Sequence, residues 1–250
     1  MSATNSDAAP LTVVLVHGAF ADASSWNGVI ERLHAAGVAV TAPPNPLRGL
    51  SADSAYIESF VEQIPGPVLA VGHSYAGCLI SNLTDAENVV GLVFVAAFAT
   101  DEGERLGEVA STSKDAILST ALVQLHYPLG DGETAVELAV DPAKFRDAVA
   151  ADLPPEQIAA LAATQRPLAE LAFSEPCGPP AWRKLPSWTV VASDDKAAGA
   201  DLIRSLAERA GARIIEVEGS HVIMISQPDA VANVILTAAA SVSQLAASPS

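Results

Sequence analysis

The chain of 250 residues is long enough for one sizeable α/β domain, and its composition excludes several classes of protein. Asp and Glu number 29 against 13 Lys and Arg, and the formal charge of -16 repels polyphosphate, which excludes nucleic acid as a partner. No uncharged apolar stretch approaches the roughly 20 residues of a membrane span, so we expect a soluble, cytoplasmic protein with no membrane partner. Cys78 and Cys177 are too few for a disulfide framework or a zinc site, and no metal is predicted.

Residues 1–10 are small and polar and lack the apolar run of a secretory signal, which predicts a disordered tail. Beyond them, short apolar segments rich in β-branched residues alternate with segments of helical periodicity. Strands are predicted at 11–16, 38–41, 68–71, 91–97, 187–192 and 213–217. Helices are predicted at 26–36, 51–64, 74–83, 200–210 and 228–240, with a frayed end after residue 240.

Strands separated by single helices need crossover connections, which favour a parallel sheet with helices on both faces. The predicted fold class is therefore α/β, with a mostly parallel sheet of about six strands. Residues 101–180 interrupt the alternation, because they are alanine-rich, punctuated by proline and without a convincing strand. We expect residues 11–100 and 181–250 to form the core and residues 101–180 to form a helical cap.

Ser74 follows a predicted buried strand and opens a predicted helix, within the sequence GHSYAG (72–77). A serine on such a tight strand-to-helix turn is typical of a nucleophile elbow, here with Ala76 where GxSxG has its last glycine. Gly72 and Ala76 keep the strained turn free of side-chain clashes. An incidental helix N-cap serine is the alternative, but the position between strand and helix favours a nucleophile.

A serine nucleophile needs a base, and His221 follows the last strand by a short loop, in the chain order that suits this elbow. Of the other histidines, His17, His34 and His73 are interpreted as structural, whereas His126, inside the insertion, is a candidate for the substrate pocket.

A carboxylate must orient that base. Asp195, after the strand at 187–192, is favoured, while Asp194 and Asp101 or Glu102 remain alternatives. The backbone amides of Tyr75, directly after the nucleophile, and of Ala19, after the first strand, are the predicted oxyanion donors.

These stretches resemble the α/β-hydrolase superfamily, and more narrowly small bacterial esterases similar to plant methyl-ester esterases and hydroxynitrile lyases. The resemblance rests on VVLVHGAFADASSW (13–26), VGHSYAG (71–77), LVFVAAF (92–98), Asp194–Asp195 and GSHVIMISQP (219–228). It implies a triad of Ser74, Asp195 and His221, and an oxyanion hole formed by the Ala19 and Tyr75 amides. It also implies that no cofactor is needed.

The same resemblance separates hydrolysis from lyase chemistry. Hydroxynitrile lyases of this family carry threonine directly after the first-strand histidine and lysine directly after the catalytic histidine. This chain has Gly18 and Val222 at those positions, which favours hydrolysis. It also departs from its relatives at 196–198, where Lys-Ala-Ala replaces an apolar-Pro stretch.

We therefore predict a serine hydrolase that cleaves a small carboxylic ester, its one expected partner, through an acyl-enzyme. The alternatives are a hydrolase-like receptor with little turnover and a cofactor-free lyase or perhydrolase on the same fold. Phe20, His126 and Trp182 are the predicted substrate-binding residues, with Leu125 as a further candidate. The sequence predicts neither the identity of the substrate nor an oligomeric state.

Overall fold

A computed structural model describes residues 9–247, so residues 1–8 of the predicted tail lie outside the described residues. A six-stranded parallel sheet forms the centre of the chain, as predicted. With strands numbered along the chain, its members are β1 (Thr12–Val16), β2 (Ala39–Thr41), β3 (Val68–His73), β4 (Val89–Val95), β8 (Ser187–Ala192) and β9 (Arg213–Val217). They lie in the order β2-β1-β3-β4-β8-β9.

Helices flank this sheet. They are α1 (Asn27–Ala35), α2 (Leu50–Glu62), α3 (Ala76–Ser81), α8 (Ala200–Arg209), α9 (Ile223–Ser226) and α10 (Pro228–Ala247). The connection from β1 to β2 runs in the opposite direction to the others, so right-handed crossovers place α1 on one face and α2, α3 and α8 on the other. Helix α10 packs against α1.

Helix α10 is longer than predicted, because it continues to Ala247 instead of ending near residue 240. The reason is a stripe of buried apolar side chains at helical spacing, which runs through Val231, Ile235, Ala238 and Val242. None of the helices in the described part of the chain has the length and apolar character that a membrane crossing requires.

The insertion is not purely helical, and the expectation that residues 101–180 contain no strand is wrong. Besides helices, it holds a three-stranded antiparallel sheet in the order β5-β6-β7. Its elements are α4 (Leu106–Ala110), β5 (Leu122–Gly130), β6 (Glu133–Val140), α5 (Phe145–Val149), α6 (Pro155–Thr164), β7 (Leu168–Ala169) and α7 (Leu171–Ser174). The hairpin turns at Asp131 and Gly132, both at positive φ, which is the Asp-Gly signature of a tight β-turn.

Register brings the chemically important loops to one edge of the main sheet. Val16 of β1 pairs with Gly72 of β3, and His73 pairs with Val95 of β4. The carboxyl ends of these parallel strands therefore lie side by side, and the segments that follow them start from neighbouring points.

His17 joins two of these loops from a fully buried position. The backbone N–H of Asn45 donates to its Nε2 at 2.9 Å, so the ring proton lies on Nδ1, which donates to the carbonyl oxygen of Gly18 at 2.9 Å. The Asn45 side chain in turn donates to the carbonyl of His17 at 3.0 Å. Burial lowers the pKa of His17 to about 4, so the ring stays neutral and keeps both bonds.

This buried histidine makes stability depend on pH. The unfolded chain binds a proton at His17 near the ordinary pKa of 6.5, whereas the folded protein does so only near 4. The unfolded state binds more protons in between, so the free energy of unfolding falls as the pH drops through this window. We expect His17 to account for a loss of about 2 kcal/mol between about pH 7.5 and about pH 5. Urea denaturation of the wild type and His17→Gln measures this loss, which should be smaller in the variant; equal losses would contradict the assignment.

Candidate active site

Ser74 lies on a strained turn between β3 and α3. Its φ is +54°, in the left-handed region that non-glycine residues seldom adopt. Its N–H donates to the carbonyl of Val95 at 3.3 Å, and its carbonyl accepts from the N–H groups of Gly77 at 2.9 Å and Phe98 at 3.2 Å. Backbone hydrogen bonds to the neighbouring strand and its following loop therefore hold the serine in this conformation.

The residues around the turn must be small because the space beside their Cα atoms is already occupied. A Cβ at Gly72 would lie 2.7 Å from the carbonyl oxygen of Ala76, and a Cβ at Gly18 would lie 2.8 Å from the Cβ of Ser74. At Gly77 it would lie 2.6 Å from the carbonyl oxygen of Phe98. Backbone approaches backbone so closely here that any side chain at these three positions would push the turn apart.

A chain of hydrogen bonds links Ser74 to a buried carboxylate. The Ser74 hydroxyl lies 2.9 Å from Nε2 of His221, and Nδ1 of His221 lies 2.9 Å from Oδ2 of Asp195. Since the carboxylate only accepts, Nδ1 carries the ring proton and Nε2 is free to accept from the serine. The other carboxylate oxygen of Asp195 accepts from the N–H groups of Ala197 at 2.8 Å and Ala198 at 2.9 Å.

Electrostatics keep this carboxylate ionised. Asp195 is 1% exposed, and burial alone would raise its pKa. The neighbouring His221 ring and the three hydrogen bonds outweigh burial, so that the pKa of Asp195 lies below its ordinary value. Asp194 is exposed, and Asp101 and Glu102 pair instead with the Arg183 guanidinium at 2.5 and 3.3 Å, so the partner of the imidazole is Asp195 and none of these three alternatives.

Ala19, in the loop after β1, and Tyr75, the residue after the serine, line the same cavity as Ser74. These are the residues whose backbone amides are the predicted oxyanion donors. Within residues 9–247, neither N–H donates to a protein acceptor. The Tyr75 ring is anchored, because its hydroxyl donates to the buried Asp53 at 2.8 Å, and Asp53 also accepts from the N–H of Arg48 at 3.0 Å. Burial raises the pKa of Tyr75 and, despite these hydrogen bonds, that of Asp53.

The cavity beside Ser74 has a volume of about 370 Å³, and most of its wall comes from the insertion. Phe20 lines it as predicted, together with Phe98, Leu106, Leu138, Leu168 and Phe173. Among the described residues, no cluster of three or more His, Cys, Asp or Glu side chains could hold a metal ion.

His126 and Trp182 do not line this cavity, contrary to prediction. His126 lies on β5 of the hairpin with its side chain exposed, as does Leu125. Trp182 lies at the base of the insertion, where its indole N–H donates to the carbonyl of Thr100 at 2.9 Å. The sequence does not distinguish His126 from a pocket residue, because the hairpin that carries it was not predicted. It does not distinguish Trp182 either, because a hydrogen bond to a distant carbonyl leaves no sequence signal.

Comparison with known proteins decides the family. A family model described as "Alpha/beta hydrolase family" matches residues 13–234. The chain belongs to the alpha/beta hydrolase family. A search of curated protein sequences gave no match.

Solved structures show the same fold as this alpha/beta hydrolase. Polyneuridine aldehyde esterase has a TM-score of 0.77 at 20% identity, over 92% of this chain and 99% of its own. A pyrethroid hydrolase from Sphingobium faniae JZ-2 has a TM-score of 0.75 at 20% identity, over 92% and 98%. Tomato methylketone synthase I, in complex with 2-tridecanone, has a TM-score of 0.74 at 21% identity, over 93% and 99%.

Sequence reasoning missed the groups that hold the backbone of His221 in this hydrolase. The Nε2–H of His73 donates to the carbonyl oxygen of His221 at 3.0 Å, and the two rings lie 4.7 Å apart. Burial, aided by the neighbouring His221, lowers the pKa of His73 to about 3, so His73 remains neutral. Its other ring nitrogen, Nδ1, is buried without a hydrogen-bond partner.

On the other side of His221, the loop is tied to the insertion. Asp152, in the turn between α5 and α6, accepts from the Ser220 N–H at 2.9 Å through Oδ2 and from the Ser220 hydroxyl through Oδ1. Burial opposes ionisation of Asp152, but the hydrogen bonds from Ser220 outweigh it and lower the pKa. Nothing in the sequence marks Asp152, because the pairing spans 68 positions along the chain.

We expect Asp152→Ala to lower kcat for an ester substrate on the order of 10-fold with little change in KM, because it loosens His221 while the cavity wall is untouched. Steady-state kinetics, with the active enzyme counted by fluorophosphonate titration, measures the effect. Asp147→Ala is the matched control, since Asp147 is an exposed residue of the insertion. Equal kcat values in the two variants would contradict a positioning role.

The turn itself predicts a stability effect for Gly77→Ala. Alanine raises helix propensity by up to about 1 kcal/mol, but the clash with Phe98 backbone costs about 1–3 kcal/mol. We expect a net loss in the free energy of unfolding, measured by urea denaturation. Gly28→Ala in α1 is the control, because its Cβ would lie 3.1 Å from the Pro228 Cβ, which requires a displacement of only a few tenths of an ångström. A Gly77→Ala protein as stable as Gly28→Ala would refute the packing argument.

Proposed function

We propose that this protein is a serine hydrolase that cleaves small carboxylic esters, with Ser74, His221 and Asp195 as its triad. The observation that carries the proposal is the unbroken chain of two 2.9 Å hydrogen bonds from serine hydroxyl to imidazole to buried carboxylate. This chain opens into a cavity that is also lined by Ala19 and Tyr75, whose backbone N–H groups have no protein acceptor within residues 9–247. Nucleophile, base, orienting group and oxyanion donors thus meet at one point, which is what acyl transfer requires.

In the first half of the reaction, Nε2 of His221 takes the proton of Ser74 as the serine oxygen attacks the ester carbonyl. The negative charge that develops on the carbonyl oxygen is stabilised by the amides of Ala19 and Tyr75. Asp195 keeps the Nδ1–H tautomer in place and stabilises the imidazolium that forms. The imidazolium then gives its proton to the departing alcohol, which leaves an acyl group on Ser74.

In the second half, water replaces the alcohol. His221 takes a proton from the water, which attacks the acyl carbon, and the proton returns to Ser74 as the acid leaves. The net reaction consumes one ester and one water and yields one acid and one alcohol. His73, beside the imidazole, stays uncharged and so adds no repulsion when His221 becomes positive.

Packing at Gly18 supports hydrolysis over hydroxynitrile lyase chemistry. A Cβ at this position would lie 2.8 Å from both the Cβ of Ser74 and the carbonyl oxygen of His73, so the turn leaves no room for the threonine of the lyases. Val222 is a buried apolar side chain, where the lyases have a lysine. The names of two of the similar structures, polyneuridine aldehyde esterase and a pyrethroid hydrolase, also agree with hydrolysis.

The central experiment removes the nucleophile. We expect Ser74→Ala to lower turnover of p-nitrophenyl butyrate at least about 1000-fold, because attack on the carbonyl is lost while the other site groups stay in place. The free energy of unfolding should change by less than about 1 kcal/mol. Ser81→Ala is the matched control, since Ser81 is a buried α3 serine whose hydroxyl has no hydrogen-bond partner.

A fluorophosphonate probe separates this enzyme from a receptor with little turnover. Labelling of the wild type at Ser74, and none in Ser74→Ala, is the expected result. Retained esterase activity in Ser74→Ala, or a wild type that binds intact ester without being labelled, would refute the proposal.

A further inference from the structure

The wall of the cavity beside Ser74 carries no charged side chain among the described residues. Leucine, phenylalanine and alanine supply most of it, from both the core and the insertion. Phe98, Leu106 and Leu168 are themselves buried, so this surface is preformed and is kept apart from water by its own packing. An apolar wall of this kind binds hydrocarbon by removing its surface from water.

The hydroxyl groups of the wall do not change this character. Tyr75 donates its hydroxyl to Asp53 at 2.8 Å, Ser113 donates to Asp201 at 2.6 Å, and Ser111 donates to the carbonyl of Glu108 at 2.6 Å. A hydroxyl has one proton, so none of these three retains a donor for a ligand. Ser119, like Ser111, is exposed and so lies toward the solvent side of the cavity.

Two carboxylates lie directly behind polar groups at the cavity. Asp195 lies behind His221, and Asp201 lies behind Ser113, each within hydrogen-bonding distance of its partner. An anionic group in the cavity would therefore lose its hydration, meet no cationic side chain in the wall and lie near two carboxylates. Burial of an unpaired carboxylate costs several kcal/mol, far more than a methyl group gains there.

We propose that the substrates are neutral esters, in which the acyl or alcohol group that occupies this cavity is an uncharged hydrocarbon, and that esters with a carboxylate at the far end of that group are rejected. This inference rests on the proposed function. The cavity wall limits the substrates to uncharged esters, whereas Ser74, His221 and Asp195 would act on charged and uncharged esters alike.

Two matched pairs of esters test the proposal and identify the group that enters the cavity. On the acyl side, p-nitrophenyl hexanoate is compared with mono-p-nitrophenyl adipate, which replaces the terminal methyl with a carboxylate. On the alcohol side, pentyl acetate is compared with 5-acetoxypentanoate. At pH near 8, we expect kcat/KM for the neutral member to be at least about 100-fold higher in the pair whose variable group occupies the cavity.

A charge added to the wall should reverse part of this preference. Leu118, a half-buried residue of the wall, is replaced by Lys, with Leu118→Met as the uncharged control. In the discriminating pair, we expect Leu118→Lys to raise kcat/KM of the carboxylate ester relative to the neutral ester by about 10-fold or more. The Met variant should keep the wild-type ratio.

The outcomes separate this inference from the proposed function. Wild-type kcat/KM values within about threefold in both pairs, from an enzyme that fluorophosphonate labels at Ser74, would overturn the charge exclusion and leave ester hydrolysis standing. Absence of labelling, together with absence of turnover of all four esters, would instead overturn the proposed function. The wild-type comparison is decisive even if Leu118→Lys does not fold.

Discussion

The strained turn at Ser74 is the constraint on which the rest of the site depends. A serine at φ +54° is held there by hydrogen bonds to Val95, Gly77 and Phe98, while glycine at 18 and 72 lets neighbouring backbone close in. The turn directs the hydroxyl to the edge of the sheet where the loops after β8 and β9 bring Asp195 and His221. Without this close backbone packing, the Ser74 hydroxyl would not lie within hydrogen-bonding distance of the His221 imidazole.

Chemistry-bearing residues near strand ends were the most predictable part of the molecule. The strands at 187–192 and 213–217 have the predicted bounds, because short segments rich in β-branched residues, bounded by loop residues, define them. Once parallel strands are inferred, Ser74, Asp195 and His221 must all lie at one edge, and the structure brings them together. The sequence prediction agrees with the structure for these three residues because each directly follows a strand, and the strand order fixes the sheet edge at which it lies.

The insertion was predicted less well, for physical reasons. Its alanine content favours helix, and Pro128 within β5 argues against a strand, yet cross-strand pairing from Leu122 to Val140 overrides both preferences. The one local signal of the hairpin is Asp131-Gly132, which lies between two apolar runs. Without the hairpin, the position of His126 cannot be predicted, and the hydrogen bond from the Trp182 indole to the Thr100 carbonyl leaves no mark in the sequence.

The hydrogen bonds between Asp152 and Ser220 tie the insertion to the loop that carries His221. The insertion therefore lines the cavity beside Ser74 and also helps to hold the loop of His221. Exchanging it for that of another relative, a common route to altered selectivity, would cut this tie. A transplanted insertion would need its own hydrogen-bond acceptor for Ser220. The insertion is therefore not independent of the core at Asp152.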